Sequence, residues 1–165
     1  MADINYIGNN IFYTYDSPFG KITIESDGDA ITTVKTQSHT DPVGKKKAST
    51  LTDIAAMQLD EYFAGKRKKF DIPLNPHGTV FQLSVWKTLQ TIPYGKTRSY
   101  KHIAQAIGNP KACRAVGLAN NKNPIWIIIP CHRVIGADGA LTGYGGGLRM
   151  KKKLLEIENV ESYRN

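Results

Sequence analysis

Cysteine is scarce in this chain: 165 residues hold two, Cys113 and Cys131. Two are too few for a disulfide framework. No CxxC pair occurs and the four histidines are scattered, so no strong zinc spacing exists. No metal and no other cofactor is expected. No stretch approaches the roughly 20 apolar residues that a membrane helix needs, so no membrane role is expected either. The opening Met1-Ala2-Asp3-Ile4-Asn5 lacks the basic and apolar regions of a signal peptide. The expectation is a soluble, unsecreted protein of the cytoplasm, or of the nucleus in a eukaryotic cell. With 41% hydrophobic residues the chain can bury a core.

Acidic residues are absent where basic ones accumulate. Residues 1–95 are neutral overall, with 10 Lys/Arg and 10 Asp/Glu. Residues 96–153 carry 11 Lys/Arg against a single acid, Asp138. The formal excess of +8 therefore comes from one segment. Such a block is an electrostatic footprint for a polyanion, nucleic acid above all; a solvated basic surface is the bland alternative. Lys45–Lys47 and Lys66–Lys69 are local runs flanked by acids and read as surface lysines.

The first forty residues read as an antiparallel meander. Ile11-Phe12-Tyr13-Thr14-Tyr15, Lys21-Ile22-Thr23-Ile24-Glu25 and Ala30-Ile31-Thr32-Thr33-Val34-Lys35 are strand-like, with turns at 17–20 and 27–29. Residues 37–49 are polar and lysine-rich, which predicts a loop. A helix follows over about 50–64, with Leu51, Ile54, Ala55, Leu59, Tyr62 and Phe63 near the helical period. Pro73, Pro76, His77 and Gly78 mark a boundary.

Beyond it the pattern is helical. Thr79 caps a helix carrying Phe81, Leu83, Val85, Trp86 and Leu89. Ser99 caps a short helix with Tyr100, Ile103, Ala104 and Ile107 on one face. Gly108-Asn109-Pro110 stops it, and a second short helix starts near Lys111. Two short helices across a glycine turn, inside the basic block, read as a helix-turn-helix; an ordinary helical hairpin is the alternative. Small residues Ala112, Ala115, Gly117 and Ala119 would let the second helix approach a partner closely.

Ile125-Trp126-Ile127-Ile128-Ile129 predicts a strand buried on both faces, ended by Pro130. Cys131 follows where this buried segment breaks, beside His132 and Arg133. A free thiol has a pKa of about 8.5, so a nucleophile at neutral pH needs help from such neighbours. Free cysteine is also a common core residue, which is the reading for Cys113. Gly143-Tyr144-Gly145-Gly146-Gly147 then opens a helix at 148–158, with Leu148, Leu154, Leu155 and Ile157 as core candidates. It is neither a Walker loop nor a GxGxxG. Glu158 is either a solvated acid or a histidine partner.

Ile129-Pro130-Cys131-His132-Arg133-Val134 resembles the active-site signature of the O6-alkylguanine-DNA alkyltransferases. Pro93-Tyr94-Gly95 with Ser99-Tyr100, Arg114-Ala115-Val116-Gly117, Asn123-Pro124, Tyr144 with its glycines, and Leu154-Leu155 with Glu158 follow in the order and spacing of that family. The resemblance covers about 79–160. It implies an α+β protein: a small N-terminal α/β supporting domain over 1–74, with antiparallel strands plus a helix, then a mainly helical domain over 79–165. The latter would hold the helix-turn-helix and the Pro-Cys-His-Arg-Val active-site loop. It implies direct-reversal DNA repair, in which an alkyl group moves irreversibly from guanine O6, or thymine O4, to a cysteine.

By resemblance Cys131 is the acceptor, His132 the base acting through water, and Glu158 the group that orients His132. Asn123 ties the cysteine loop to the helix-turn-helix, and Tyr100 donates to the departing guanine. Arg114 fills the gap left by a flipped base. Lys111, Ala112, Ala115, Gly117 and Arg133 join it in contacting DNA through the minor groove. Val134, Tyr144, Gly145, Gly146 and Trp126 form the base pocket. The partner is double-stranded DNA containing O6-alkylguanine, met by a monomer. Two departures bear on the pocket: a serine often stands where Gly145 is, and a smaller residue or proline where Trp126 is. The N-terminal half lacks the zinc-binding cysteines of some members. Two other classes stay open on the residues: a DNA-binding regulator with Cys131 as redox sensor, and a Cys-His hydrolase of a small acyl substrate.

Overall fold

The computed structural model describes residues 8–165. Met1-Ala2-Asp3-Ile4-Asn5, and with it the start of the expected 1–74 domain, lies outside the described residues. The chain divides into two compact units between Pro76 and His77.

In the first unit the β-branched segments form the expected meander: β1 (Ile11–Ser17), β2 (Gly20–Ser26) and β3 (Ile31–Thr36), paired antiparallel in sequence order. Residues 37–49 are not wholly a loop. They hold a 3-10 turn at Gln37–His39 and a two-residue strand β4 (Lys45–Lys46), parallel to β1. Its bonds are backbone ones, Lys45 N–H to Asn10 O at 2.9 Å and Lys47 N–H to Phe12 O at 2.9 Å. An exposed lysine pair leaves no apolar alternation to announce a strand. Lysines on a sheet edge also discourage further pairing. Helix α1 (Thr50–Phe63) starts in a capping box, Ser49 with Thr52, and buries Ala55, Ala56, Leu59 and Tyr62 against the sheet. Ile22, Ile24, Ile31 and Val34 complete this core.

The second unit begins with α2 (Val80–Leu89), whose Thr79–Gln82 capping box satisfies two otherwise unpaired backbone donors. Strand β5 (Arg98–Ser99) leads into α3 (Tyr100–Ala106), capped by the Ser99 hydroxyl. Gly108, at φ +77°, makes the turn into α4. Helix α4 (Cys113–Asn121) starts at Cys113 rather than near Lys111, because Ala112 N–H bonds back to Asn109 O and closes a turn first. Helices α3 and α4 pack together, and α2 packs on α4. Trp86 is buried there and donates its indole N–H to Ala119 O at 2.8 Å.

Residues 125–129 are buried as expected but are not a ladder strand. Ile127 takes φ +74°, with Ile128 N–H bonded to Trp126 O and Ile129 N–H to Ile125 O. This is a tight turn about a β-branched residue, a conformation costing of order 1–3 kcal/mol. The apolar run reports burial, and burial alone does not distinguish a strand from a packed turn. A 3-10 turn (Cys131–Arg133) follows, then β6 (Val134–Ile135), parallel to β5. Helix α5 (Leu148–Ile157) buries Met150, Lys151, Leu154 and Leu155. Leu148, expected in the core, is 48% exposed because it opens the helix. Among the described residues no helix is long and apolar enough to cross a membrane.

Candidate active site

Three features place Cys131. Pro130 ends the buried turn, the 3-10 turn presents Cys131, His132 and Arg133 in succession, and β6 fastens the segment to β5 at the entrance of α3. Asn120 on α4 donates to Cys131 O at 3.2 Å. Asn123, just past α4, donates to Ile129 O at 2.8 Å and accepts from Ile125 N–H at 2.9 Å. The cysteine segment is thereby bound to α4 through Asn120 and to the residues just past it through Asn123. Asn120 was not anticipated; its position one turn before Asn123, on the buried face with Val116 and Ala119, is the signal that marks it.

The three residues following Pro130 are buried together with Glu158. The Glu158 carboxylate accepts from His132 Nε2 at 2.6 Å, from Arg133 Nε at 2.9 Å, from Arg133 Nη2 at 3.0 Å and from Gly95 N–H at 3.0 Å. Burial alone would raise this carboxyl; the hydrogen bonds and charges of His132 and Arg133 outweigh it and hold it at about 2. An ionised carboxylate only accepts, so Nε2 carries the imidazole proton and Nδ1 is the basic nitrogen. Burial pushes His132 below its ordinary pKa, against the pull of Glu158, so the ring is held neutral. The Pro93-Tyr94-Gly95 turn serves this cluster: Gly95 binds the carboxylate and Tyr94 Oη donates to Ile157 O at 3.0 Å.

Arg133 was expected to touch DNA. It does not face solvent: its guanidinium grips Glu158 and donates to Ile92 O at 2.6 Å. Sequence adjacency to His132 carried no information on direction. Cys131 is 2% exposed, and burial pushes its thiol pKa up. The Asn123 side chain, the Lys151 charge and Tyr144 pull it back.

Tyr100 opens α3 and donates to Thr142 O at 2.7 Å. Burial pushes its phenol pKa up, so it holds its proton at neutral pH. Val134 is buried, and its carbonyl accepts from Lys151 Nζ at 2.5 Å. Trp126, 3% exposed, lies against Tyr144 with ring centroids 5.7 Å apart. A Cβ on Gly145 would meet Trp126 Cζ2 at 2.9 Å, and one on Gly146 would meet Met150 Sδ at 2.6 Å. The two departures noted in the sequence are thus one feature: the indole occupies the space beside the glycines, and a side chain at 145 would collide with it.

Arg114 and Ala115 are exposed on α4, and Lys111 is exposed in the turn before it, with Ala112 half-buried. Gly117 is half-buried like Ala112, with the Tyr100 ring beside it, where a Cβ would sit 3.9 Å away. The basic block is also smaller outside than in sequence, because Arg133 and Lys151 are buried. Lys151 was not singled out at all. It sits three and four residues before Leu154 and Leu155, on the buried stripe of α5, which is the signal that it is a core residue. Among the described residues no group of three or more His, Cys, Asp or Glu could hold a metal ion.

Comparison with known proteins gives two family matches. Residues 80–160 match the 6-O-methylguanine DNA methyltransferase DNA binding domain, and residues 11–76 match the ribonuclease-like domain of the same proteins. A methylated-DNA–protein-cysteine methyltransferase of Methanosarcina acetivorans is 50% identical over 153 residues, covering 87% of this chain and 95% of that one. Its Mycobacterium tuberculosis counterpart is 50% identical over 152 residues, covering 89% and 91%. The crystal structure of Mycobacterium tuberculosis OGT in complex with DNA superposes with a TM-score of 0.85 at 51% identity, covering 90% of this chain and 92% of that one.

Proposed function

Because the chain belongs to the methylated-DNA–protein-cysteine methyltransferase family, we propose that it repairs O6-alkylguanine in double-stranded DNA by moving the alkyl group onto Cys131. The observation that carries this reading is the double tie of the cysteine segment to α4. Asn120 holds the carbonyl of Cys131 itself and Asn123 that of Ile129. A nucleophile wired to a DNA-reading helix suits a lesion in DNA better than a small acyl substrate.

The chemistry follows from the residues. His132 Nδ1 takes the thiol proton through water, and Glu158 offsets the imidazolium that forms. The thiolate attacks the sp3 alkyl carbon; the S–C bond forms as the C–O6 bond breaks. The bonding pair leaves with guanine, which takes up a proton. Tyr100 turns its hydroxyl from Thr142 O toward the base to supply a hydrogen bond or that proton. No group here reverses a thioether, so each molecule acts once. Helix α4 enters the minor groove and Arg114 fills the gap left by the flipped nucleotide. The protein acts as a monomer, in the cytoplasm or in a eukaryotic nucleus, without a cofactor.

Mixing the protein with a duplex containing O6-methylguanine tests this. The expected result is one methyl transferred per protein and a gain of one methylene on the peptide bearing Cys131. Multiple turnover without DNA would favour the hydrolase, and sequence-specific binding without a covalent product the regulator. Arg114→Ala is expected to slow transfer from duplex by about tenfold, the equivalent of roughly 1.4 kcal/mol, and to weaken binding. Its reaction with free O6-methylguanine base should be unchanged. An unaltered rate on duplex would remove the finger role.

A further inference from the structure

Asn121 ends α4 with an exposed side chain, and among the described residues its carboxamide takes part in no hydrogen bond. An exposed asparagine is ordinarily wetted surface, so position decides whether it matters. That position is fixed from two directions. Along α4, Arg114, Leu118 and Asn121 are all exposed and stand at i, i+4 and i+7, on one face of the helix. Across from α4, a Cβ placed on Gly143 would lie 3.5 Å from Asn121 Oδ1, 3.6 Å from its Nδ2 and 3.9 Å from Tyr100 Oη. The carboxamide thus lies beside the Gly143 backbone, on the side where the Tyr100 hydroxyl also lies.

The groups around it divide an inside from a rim. Trp126, Val134 and Tyr144 are buried, whereas Thr142, Gly143 and Asn121 are exposed. A base seated against the buried set leaves its sugar and phosphates at the exposed one. The rim's carbonyls are already engaged. Thr142 O accepts from Tyr100 Oη at 2.7 Å and from Lys151 Nζ at 2.9 Å, and Gly143 O accepts from Lys151 Nζ at 3.1 Å. Asp138, the single acid of residues 96–153, is paired with Arg164. The Asn121 amide remains unspent, with two N–H donors on Nδ2.

A flipped nucleotide supplies the matching group. Arg114 marks where the base leaves the stack, and Cys131 where it arrives. Asn121 lies seven residues past Arg114, about 10 Å along the helix at 1.5 Å per residue. The backbone of the extruded nucleotide crosses this stretch. A helix C-terminus carries partial negative charge and disfavours a phosphate, so a side-chain donor is needed there. We propose that the Asn121 amide donates to a phosphate of the flipped nucleotide and holds its backbone at the mouth of the base pocket. This deepens the reading of alkyl transfer from double-stranded DNA and rests on it. The two residues divide the work on one helix face: Arg114 fills the stack, and Asn121 keeps the extruded nucleotide in place.

The test measures second-order rates of single-turnover transfer from three O6-methylguanine duplexes. One is ordinary; the other two carry a neutral methylphosphonate in place of the phosphate on one side of the lesion or the other. A hydrogen bond to a charged group is worth about tenfold or more, so Asn121→Ala should be about tenfold slower than wild type on the ordinary duplex. Asn121→Asp keeps the shape, adds a negative charge and should be slower still. On one of the two neutral-linkage duplexes the partner charge is gone, and both variants should come within about twofold of wild type. Variants that match wild type on the ordinary duplex overturn the proposal. Penalties that persist unchanged on both neutral-linkage duplexes overturn it too, because they would place Asn121 in the base pocket or the fold. Wild type on the ordinary duplex separates the two ideas: no transfer there refutes the alkyl-transfer reading, whatever Asn121 does.

Discussion

Cys131→Ser is expected to abolish alkyl transfer while leaving the fold and DNA binding intact. An alcohol is far less acidic than a thiol of about 8.5, and its oxygen is a poorer nucleophile toward an sp3 carbon. The replacement changes volume little. The new hydroxyl stays beside the side chains of Asn123 and Tyr144, which pull the thiol pKa down, and as both donor and acceptor it can be satisfied there. The exposed cations on and before α4, Lys111 and Arg114 among them, lie outside the cluster. Binding to a lesion-containing duplex should stay within about twofold, well under the tenfold that 1.4 kcal/mol represents. Transfer at the normal rate from this variant would show that the nucleophile is another residue.

Glu158→Gln is expected to cost stability as well as rate. Every neighbour of the carboxylate is a donor: His132 Nε2, two Arg133 nitrogens and Gly95 N–H. An amide must turn its NH2 toward one side of that ring and meet donors there. The change also leaves the Arg133 charge buried without a partner. Breaking one half of a buried pair costs about 3–5 kcal/mol, which for a chain of this length lowers the melting temperature by roughly 10 °C. Transfer at neutral pH should fall by about 10²-fold through the loss of His132's orienting partner. Thermal melts and single-turnover rates read the two effects; an unchanged melt would place Glu158 outside the energetic centre of the fold.

The same carboxylate makes the wild type sensitive to acid. Its folded pKa, about 2, lies below the ordinary 4.5. Its contribution is therefore complete above 4.5 and is lost as pH falls toward 2. His132, held below 6.5, works in the same direction, because the unfolded ring takes up a proton that the folded one refuses. Urea unfolding should show stability declining from about pH 6.5 downward, and less steeply in Glu158→Gln.

How much of this was legible in the residues varies with the kind of signal. The meander, α1, α2 and the helix pair read correctly because β-branched alternation, helical periodicity and caps are local. β4 did not, since its pairing is backbone to backbone and its side chains are exposed lysines. The turn at 125–129 reads as a strand because five apolar residues report burial and nothing about φ at Ile127. Arg133 and Lys151 count as basic surface in a sum of charges, and the same sum cannot say that both are in the core.

From the order of residues alone come the α+β class, the helix-turn-helix, a cysteine where a buried segment breaks, and a family signature running from Pro93 to Glu158. The elements are contained in periodicity, caps and turn residues; the signature is a resemblance carried by the residues themselves. Only the tertiary structure decided the directions: Arg133 inward to Glu158, Gly117 toward Tyr100, Trp126 into the space beside Gly145, and the Lys151 ammonium onto three carbonyls. Direction depends on which elements meet, through contacts between residues far apart in the chain, and no local pattern encodes it.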